Sequence, residues 1–317
     1  MSTKEKYLIG VDRLDAQHRA LFSAISRLKT ILLEEDFERN KRICKELVRF
    51  LGDHVTRHFS DEEAYMREIH YAHYERHKAQ HEAIVQMVAS MKEEMEASDY
   101  SPQSIKHLVG TLLPTLIYHT ESVDRFIGKE DPQCDTANDA AQAMSKTMIS
   151  VVNELFGQSV DLSLETPDFG ALPEGDKSYT LVDCKTPQGR KFRIMTAVDA
   201  AAAVWAMNNL FSAQLDVEDE LVRSALKELN RLIAIHFVRN YQNGVFAQVE
   251  KPVELTQETF FSFSRPTIRC AACFLRTFTA PTPSPSGNCE HHLAKNPSEN
   301  SEGFQSVEKV RLELGFF

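Results

Sequence analysis

Through the first 128 positions, apolar residues recur at intervals of three and four, the spacing of one helical face. Leu21, Phe22, Ile25, Leu28 and Leu32 form the first stripe, with Asp12 or Asp15 placed to cap its start. A second, from about Glu38 to Met66, runs through Ile43, Leu47, Leu51, His54 and His58. The third, from about Tyr74 to Ala97, carries His77, His81, Ile84, Val88, Met91 and Met95. Ser101-Pro102 opens a fourth, with Pro in its first turn, followed by Leu108, Leu112, Leu116, His119, Val123 and Phe126. Pro114 falls inside this helix and predicts a kink one turn earlier, near Gly110. Four amphipathic helices with short connections predict an all-α antiparallel four-helix bundle over residues 1–129.

The pattern then changes. Residues 130–137 read as a linker, and a fifth amphipathic helix is expected over about 139–156. Ser159 to Leu164, Tyr179 to Cys184 and Lys191 to Val198 read as strands, with Pro187-Gln-Gly-Arg190 a turn between the last two. Ala200 to Phe211 and Glu218 to Tyr241 have helical spacing, and Val245 to Val249, Thr267 to Leu275 and Val307 to Leu314 look like further strands. Residues 138–317 are therefore expected to form an α+β domain, with a flexible Pro- and Ser-rich loop over about 280–302. The predicted fold class is multidomain, a four-helix bundle followed by an α+β unit.

Composition narrows the function. A length of 317 residues suits two domains. The formal net charge of −10 argues against broad binding to phosphate backbones, so no nucleic-acid partner is expected. The longest strictly apolar runs, such as Ala200 to Met207, are far short of the roughly 20 residues that span a bilayer, so no membrane partner is expected either. Met1 to Lys6 leads into no apolar segment, and six irregularly spaced Cys read as reduced thiols. These features together predict a cytoplasmic location.

Nine of the 12 His precede residue 120. His58 and Glu62 are four apart and share a helix face, and His77 and His81 repeat that geometry. His18 lies on the first helix and His119 on the fourth. Asp124 follows His119 by five residues, about 140° around the helix, so it is expected to reach the axis only from a helix edge. Burying five imidazoles and two carboxylates without partners would cost roughly 2–7 kcal/mol for each group. A metal centre satisfies them together, since both group types are ligands for Fe, Zn and Mn.

Gly10-Val-Asp-Arg-Leu-Asp-Ala-Gln-His18-Arg-Ala-Leu-Phe22 resembles the opening motif of the bacterial hemerythrin family. His58-Phe-Ser-Asp-Glu62-Glu-Ala-Tyr-Met66 is similar to its second-helix signature, and His77-Lys-Ala-Gln-His81 and His119 to Asp124 complete the set in order. The resemblance covers about residues 6–128. It implies two iron ions in a non-haem, oxo- or hydroxo-bridged centre: His77, His81 and His119 on one iron, His18 and His58 on the other, Glu62 and Asp124 bridging. Dioxygen would bind at the spare position of the two-His iron. Five neutral imidazoles and two carboxylates make a less anionic centre than the paired Glu-x-x-His sites of di-iron oxidases, a motif absent from this sequence, and so favour reversible binding over oxidation. Thr115 and Thr120 stand where bacterial relatives commonly carry Trp and Ile, and Tyr7 takes the approximate place of an early Trp. These departures predict a more polar pocket and a shorter-lived oxygen complex. His54, His70, His73 and His107 fall outside the ligand set, and Glu63 is expected at the surface or behind a ligand.

Two further constellations stand apart. Cys270-Ala-Ala-Cys273 with Cys289 and His292 has zinc-ribbon spacing, in a strand-like stretch that would need a knuckle turn to converge. The second unit faintly resembles the CheX/CheC chemotaxis phosphatases, which set Glu and Asn three residues apart on a helix. Glu228 matches, but Arg231 stands at the Asn position and Asn230 is one residue early. No Gly-rich phosphate loop, Rossmann fingerprint or nucleophile elbow appears. The leading expectation is a dioxygen-responsive sensor, signalling or carrier protein without turnover, with a signalling partner at its C-terminal unit. The alternatives are an oxygen-gated aspartyl-phosphate phosphatase and an iron-storage or nitric-oxide-binding protein.

Overall fold

The computed structural model describes residues 8–33, 37–129, 161–163, 177–185, 191–199, 218–241, 248–250, 252–259, 270–278 and 309–316, with positions 151, 204, 207, 208, 211 and 213–216. Four long helices come first: α1 (Asp12–Leu33), α2 (Phe37–Glu68), α3 (Tyr74–Ala97) and α4 (Pro102–Ser122). They form a four-helix bundle, with α1 against α2 and α4, and α3 against α2 and α4. The Asp15 carboxylate accepts from the backbone N–H of Ile9 at 2.7 Å and of Gly10 at 3.2 Å, which fixes the chain entering α1. Ser101 caps α4 by accepting from Ser104 N–H at 3.2 Å, and Pro102 follows where no helical donor is needed.

The buried stripe of α2 is rotated by one position from the sequence-based expectation. Cys44, Val48, Leu51, Val55, His58, Phe59, Glu62 and Met66 face inward, whereas Ile43 is exposed and Leu47 only partly buried. Ile43 and Leu47 are larger and more apolar than Cys44 and Val48, so side-chain hydropathy placed the stripe on their flank.

Helix α4 has no polar face. Fifteen of its 21 residues are buried, which means that it is covered on two sides rather than one. The second cover is a fifth helix, α5 (Glu220–Tyr241), which packs along it. Gly110 makes that approach possible. A Cβ there would lie 2.8 Å from the Leu221 carbonyl oxygen and 2.9 Å from Ser224 Cβ.

The remaining elements are strands: β1 (Asp161–Ser163), β2 (Lys177–Lys185), β3 (Lys191–Asp199), β4 (Gln248–Val249), β5 (Val253–Leu255), β6 (Cys270–Phe278) and β7 (Lys309–Phe316). They make one mixed sheet in the order β1-β7-β6-β3-β2-β4, with β5 also on β2. β2 and β3 pair antiparallel from Lys177↔Asp199 to Lys185↔Lys191; β3 and β6 pair parallel. This is the α+β second part the sequence predicts, with β5 an addition. The linker at 130–137, the turn at 187–190 and the 280–302 loop lie outside the described residues, as do nearly all of the helices expected at 139–156 and 200–211.

One apolar core runs through both parts. It extends from Leu21 and Ile25 of α1, through Leu112 and Leu116 of α4, to Leu226, Leu229 and Ile233 of α5 and to Val182 and Ile194 of the sheet. A smaller cluster of Ile9, Leu14, Met66 and Ile127 closes one end of the bundle. Among the described residues, no helix is long and apolar enough to cross a membrane.

Candidate metal centre

Between these two apolar clusters the bundle gathers its buried polar side chains. His18 comes from α1, His58 and Glu62 from α2, His77 and His81 from α3, and His119 from α4, none more than 2% exposed. Asp124, wholly buried, joins them by a different route from the one expected. It does not flank the site from a helix edge: α4 ends at Ser122, and a 3-10 turn over Asp124–Phe126 swings the carboxylate inward. The chain leaves the helix, and the 140° offset no longer applies.

All seven predicted residues converge. Asp124 Oδ1 lies 3.1 Å from His77 Nε2 and 3.0 Å from His119 Nε2, and its Oδ2 lies 3.3 Å from His18 Nε2. Glu62 Oε2 is 3.4 Å from His81 Nε2 and 3.6 Å from His58 Nε2. The ligand atoms fall into two groups: Glu62, His77, His81, His119 and Asp124 in one, His18, His58 and Asp124 in the other, each within 4.8 Å.

Outer partners aim the rings. His58 Nδ1 faces Gln17 Oε1 at 3.0 Å, and Gln17 in turn donates its Nε2 to Asp61 at 2.7 Å. His81 Nδ1 faces Glu63 Oε1 at 3.1 Å, so Glu63 stands behind that ring. The Phe59 ring stacks on His81 at 3.9 Å. His54, outside the cluster, reaches the Gln17 carbonyl at 3.3 Å. Gln17 was missed by sequence reasoning, although it sits directly before His18 in the opening motif. Such partners fix ring orientation and raise ligand basicity.

Electrostatics show that the cluster suits a cation. Burial lowers the imidazole pKa of His58 to about 3 and holds those of His81 and His119 below the ordinary value, so all three rings are neutral with a lone pair to donate. Burial, then the nearby Asp124 carboxylate, pushes Glu62 up to about 8. Burial also works against ionisation of Asp124, yet the surrounding imidazoles, His119 foremost, outweigh it and keep that carboxyl well below the usual range. Both oxygens of Glu62, both of Asp124 and both nitrogens of His77 are buried without a hydrogen bond. Moreover, His81 Nε2 and His119 Nε2 point at each other across 3.1 Å. Buried polar atoms left without partners in a dry interior are costly. A cation coordinated by nitrogen and oxygen removes that cost, and the residues present fit one.

Several other expectations need correction. Thr115 does not polarise the pocket among the clustered residues: its hydroxyl donates to Glu228 Oε1 on α5 at 2.5 Å, with the Thr111 carbonyl 2.9 Å away as a shared acceptor. Thr120 turns its hydroxyl back onto the carbonyls of Leu116 and Ile117 at 2.9 and 3.1 Å, as helical Thr often does. Glu228 is buried and held by Arg231 at 2.7 and 2.6 Å as well as by Thr115, so it cannot orient a water toward an external phosphoryl group. Strand β6 runs uninterrupted from Cys270 and lacks the turn a zinc knuckle requires, while Cys289 and His292 lie outside the described residues.

Comparison with known proteins agrees with this geometry. Residues 9–125 match the model of the hemerythrin HHE cation binding domain. A bacteriohemerythrin of Clostridium acetobutylicum is 28% identical over 87 residues, which cover 27% of this chain and 67% of that protein. A bacteriohemerythrin of Campylobacter jejuni serotype O:6 is 37% identical over 86 residues, again 27% of this chain and 62% of the relative. No solved structure matches. The helical bundle of this chain, over residues 9–125, belongs to the hemerythrin family and is a cation-binding domain.

Proposed function

We propose that the bundle holds two iron ions and binds dioxygen reversibly, as the sensory part of a cytoplasmic signalling protein. In this reading residues 1–129 are the di-iron unit and 138–317 an output unit. His77, His81 and His119 would hold one iron and His18 and His58 the other, with Glu62 and Asp124 available to both. The carrying observation is the convergence of five buried imidazoles and two buried carboxylates in two adjoining groups that share Asp124. Iron held there would supply the two-electron redox chemistry that reversible dioxygen binding requires.

The protein's own residues prepare that chemistry. Burial keeps His58, His81 and His119 neutral at pH 7, so none of these three rings has to lose a proton before a metal enters, whereas Glu62, pushed up to about 8, would give one up. Gln17 and Glu63 hold two of the rings in register. Phe59, with Leu14 and Met66 on the other side, encloses the centre in apolar surface that excludes water. Among the relatives, the two described are named bacteriohemerythrins, which supports the same reading.

Anaerobic Fe(II) reconstitution, followed by cycles of air and argon, tests it. Two irons per chain and a visible absorption band that appears and disappears with oxygen are expected. One metal per chain, or a band that never reverses, would overturn the proposal.

A further inference from the structure

Four polar residues of α4 that turn away from the metal centre find partners on α5 or at the residue just before it. Lys106 Nζ meets Asp219 at 2.7 Å, and His107 Nδ1 meets Ser224 Oγ at 2.9 Å. Two turns on, Thr115 meets Glu228, and Tyr118 O–H lies 3.1 Å from His236 Nδ1. The Thr115 and Tyr118 contacts are buried, and Glu228 is in addition ion-paired with Arg231. Such a buried ionic network is weak evidence for stability, since apolar residues of the same volume often do as well. Its best-attested use is to fix register between packed elements.

Here the register matters because of what lies one turn away. His119 follows Thr115 by four residues, on the same side of α4. Both residues, with Tyr118 and with Arg231, Leu232 and Ile235 of α5, line one cavity of about 40 Å³. The ring of His119 therefore has the metal centre at its Nε2 and the α5 interface close behind it. With Gly110 allowing backbone contact, α4 has no lateral freedom independent of α5.

We propose that Thr115, Glu228 and Arg231 are positioning residues for His119, and that they couple occupancy of the metal centre to the order of α5. This rests on the metal-centre reading. Coupling of this kind is reciprocal: if α5 strengthens ligation by holding His119 in place, ligation must stabilise α5 by the same free energy.

Thr115→Val keeps the volume and deletes the hydroxyl, while Thr115→Ser restores a hydroxyl. Chelator competition with Fe(II) under argon should show metal affinity weakened on the order of fivefold in Thr115→Val and recovered in Thr115→Ser. Independently, in the unaltered full chain, Fe(II) loading should slow amide hydrogen exchange along Ala225 to Ile233 of α5. A merely structural bond predicts something else: Thr115→Val lowering the melting temperature of metal-free and metal-loaded protein equally, with unchanged affinity. That result, or α5 exchange indifferent to metal, overturns the proposal while leaving the metal centre standing. A wild-type chain that takes up no metal overturns both readings.

Discussion

Two glycines in mid-helix positions make a paired prediction with opposite signs. Gly52 in α2 and Gly110 in α4 gain the same propensity when replaced by Ala, about 1 kcal/mol. At Gly52 nothing lies within 4 Å of the new methyl group, so Gly52→Ala should stabilise the protein by close to that full amount. At Gly110 the methyl carbon would sit 2.8 Å from the Leu221 carbonyl oxygen, 2.9 Å from Ser224 Cβ and 3.3 Å from Ala225 N. Two of those three atoms are backbone and cannot rotate away. Helix α5 must move, and overpacking of this type costs about 1–3 kcal/mol, together with strain on the Thr115–Glu228 bond. The net for Gly110→Ala is a loss of up to about 2 kcal/mol, despite a better helix former. Urea unfolding of the chelated proteins, followed by far-ultraviolet circular dichroism, gives both values. Equal stabilisation by the two substitutions would refute the close approach of α4 to α5.

The centre itself supplies the remaining predictions. In the metal-free fold, burial keeps His58, His81 and His119 from protonating, whereas in the unfolded chain they take protons near 6.5. The unfolded state then binds more protons, so stability should fall as pH drops from 6.5 towards 3, the value His58 reaches in the fold. Glu62 acts in the opposite sense, its contribution being lost as pH rises from 4.5 through about 8. Urea midpoints of the chelated protein should therefore decline on both limbs, more steeply on the acid side, and a flat acid limb would contradict the burial of these rings. Gln17→Ala removes the partner of His58 Nδ1 and should weaken metal binding about 10- to 100-fold, measured by chelator competition. Glu62→Ala should lose metal outright while Glu63→Ala only weakens it, because Glu62 faces the centre and Glu63 stands behind His81. Equal metal content in the two variants would refute the α2 register.

Six of the seven clustered residues were legible in the sequence because each interrupts an apolar stripe at a helical interval, and a four-helix topology brings such interruptions to one axis. Asp124 was legible by family resemblance alone. Its spacing pointed away from the axis, since periodicity describes a continuing helix and the structure ends α4 two residues earlier. The α2 stripe was misplaced by one residue for a related reason: hydropathy ranks Ile43 above Cys44, but burial depends on where neighbouring helices lie. The roles of Thr115 and Gly110 were not legible at all. Both answer to α5, more than 100 residues further along the chain, and a reading confined to the bundle assigned one to the oxygen pocket and the other to a kink.

The double covering of α4 also bears on how the chain can be divided. Cut after Lys129, the bundle would keep all seven clustered residues and the whole stretch that matches the hemerythrin model. It would also turn the α5-facing side of α4 to water, with Gly110, Thr115 and Tyr118 stripped of neighbours now buried with them. A contiguous apolar strip of that kind drives self-association. The bundle is a module to anyone who compares sequences, but its solubility is on loan from the helix that follows it.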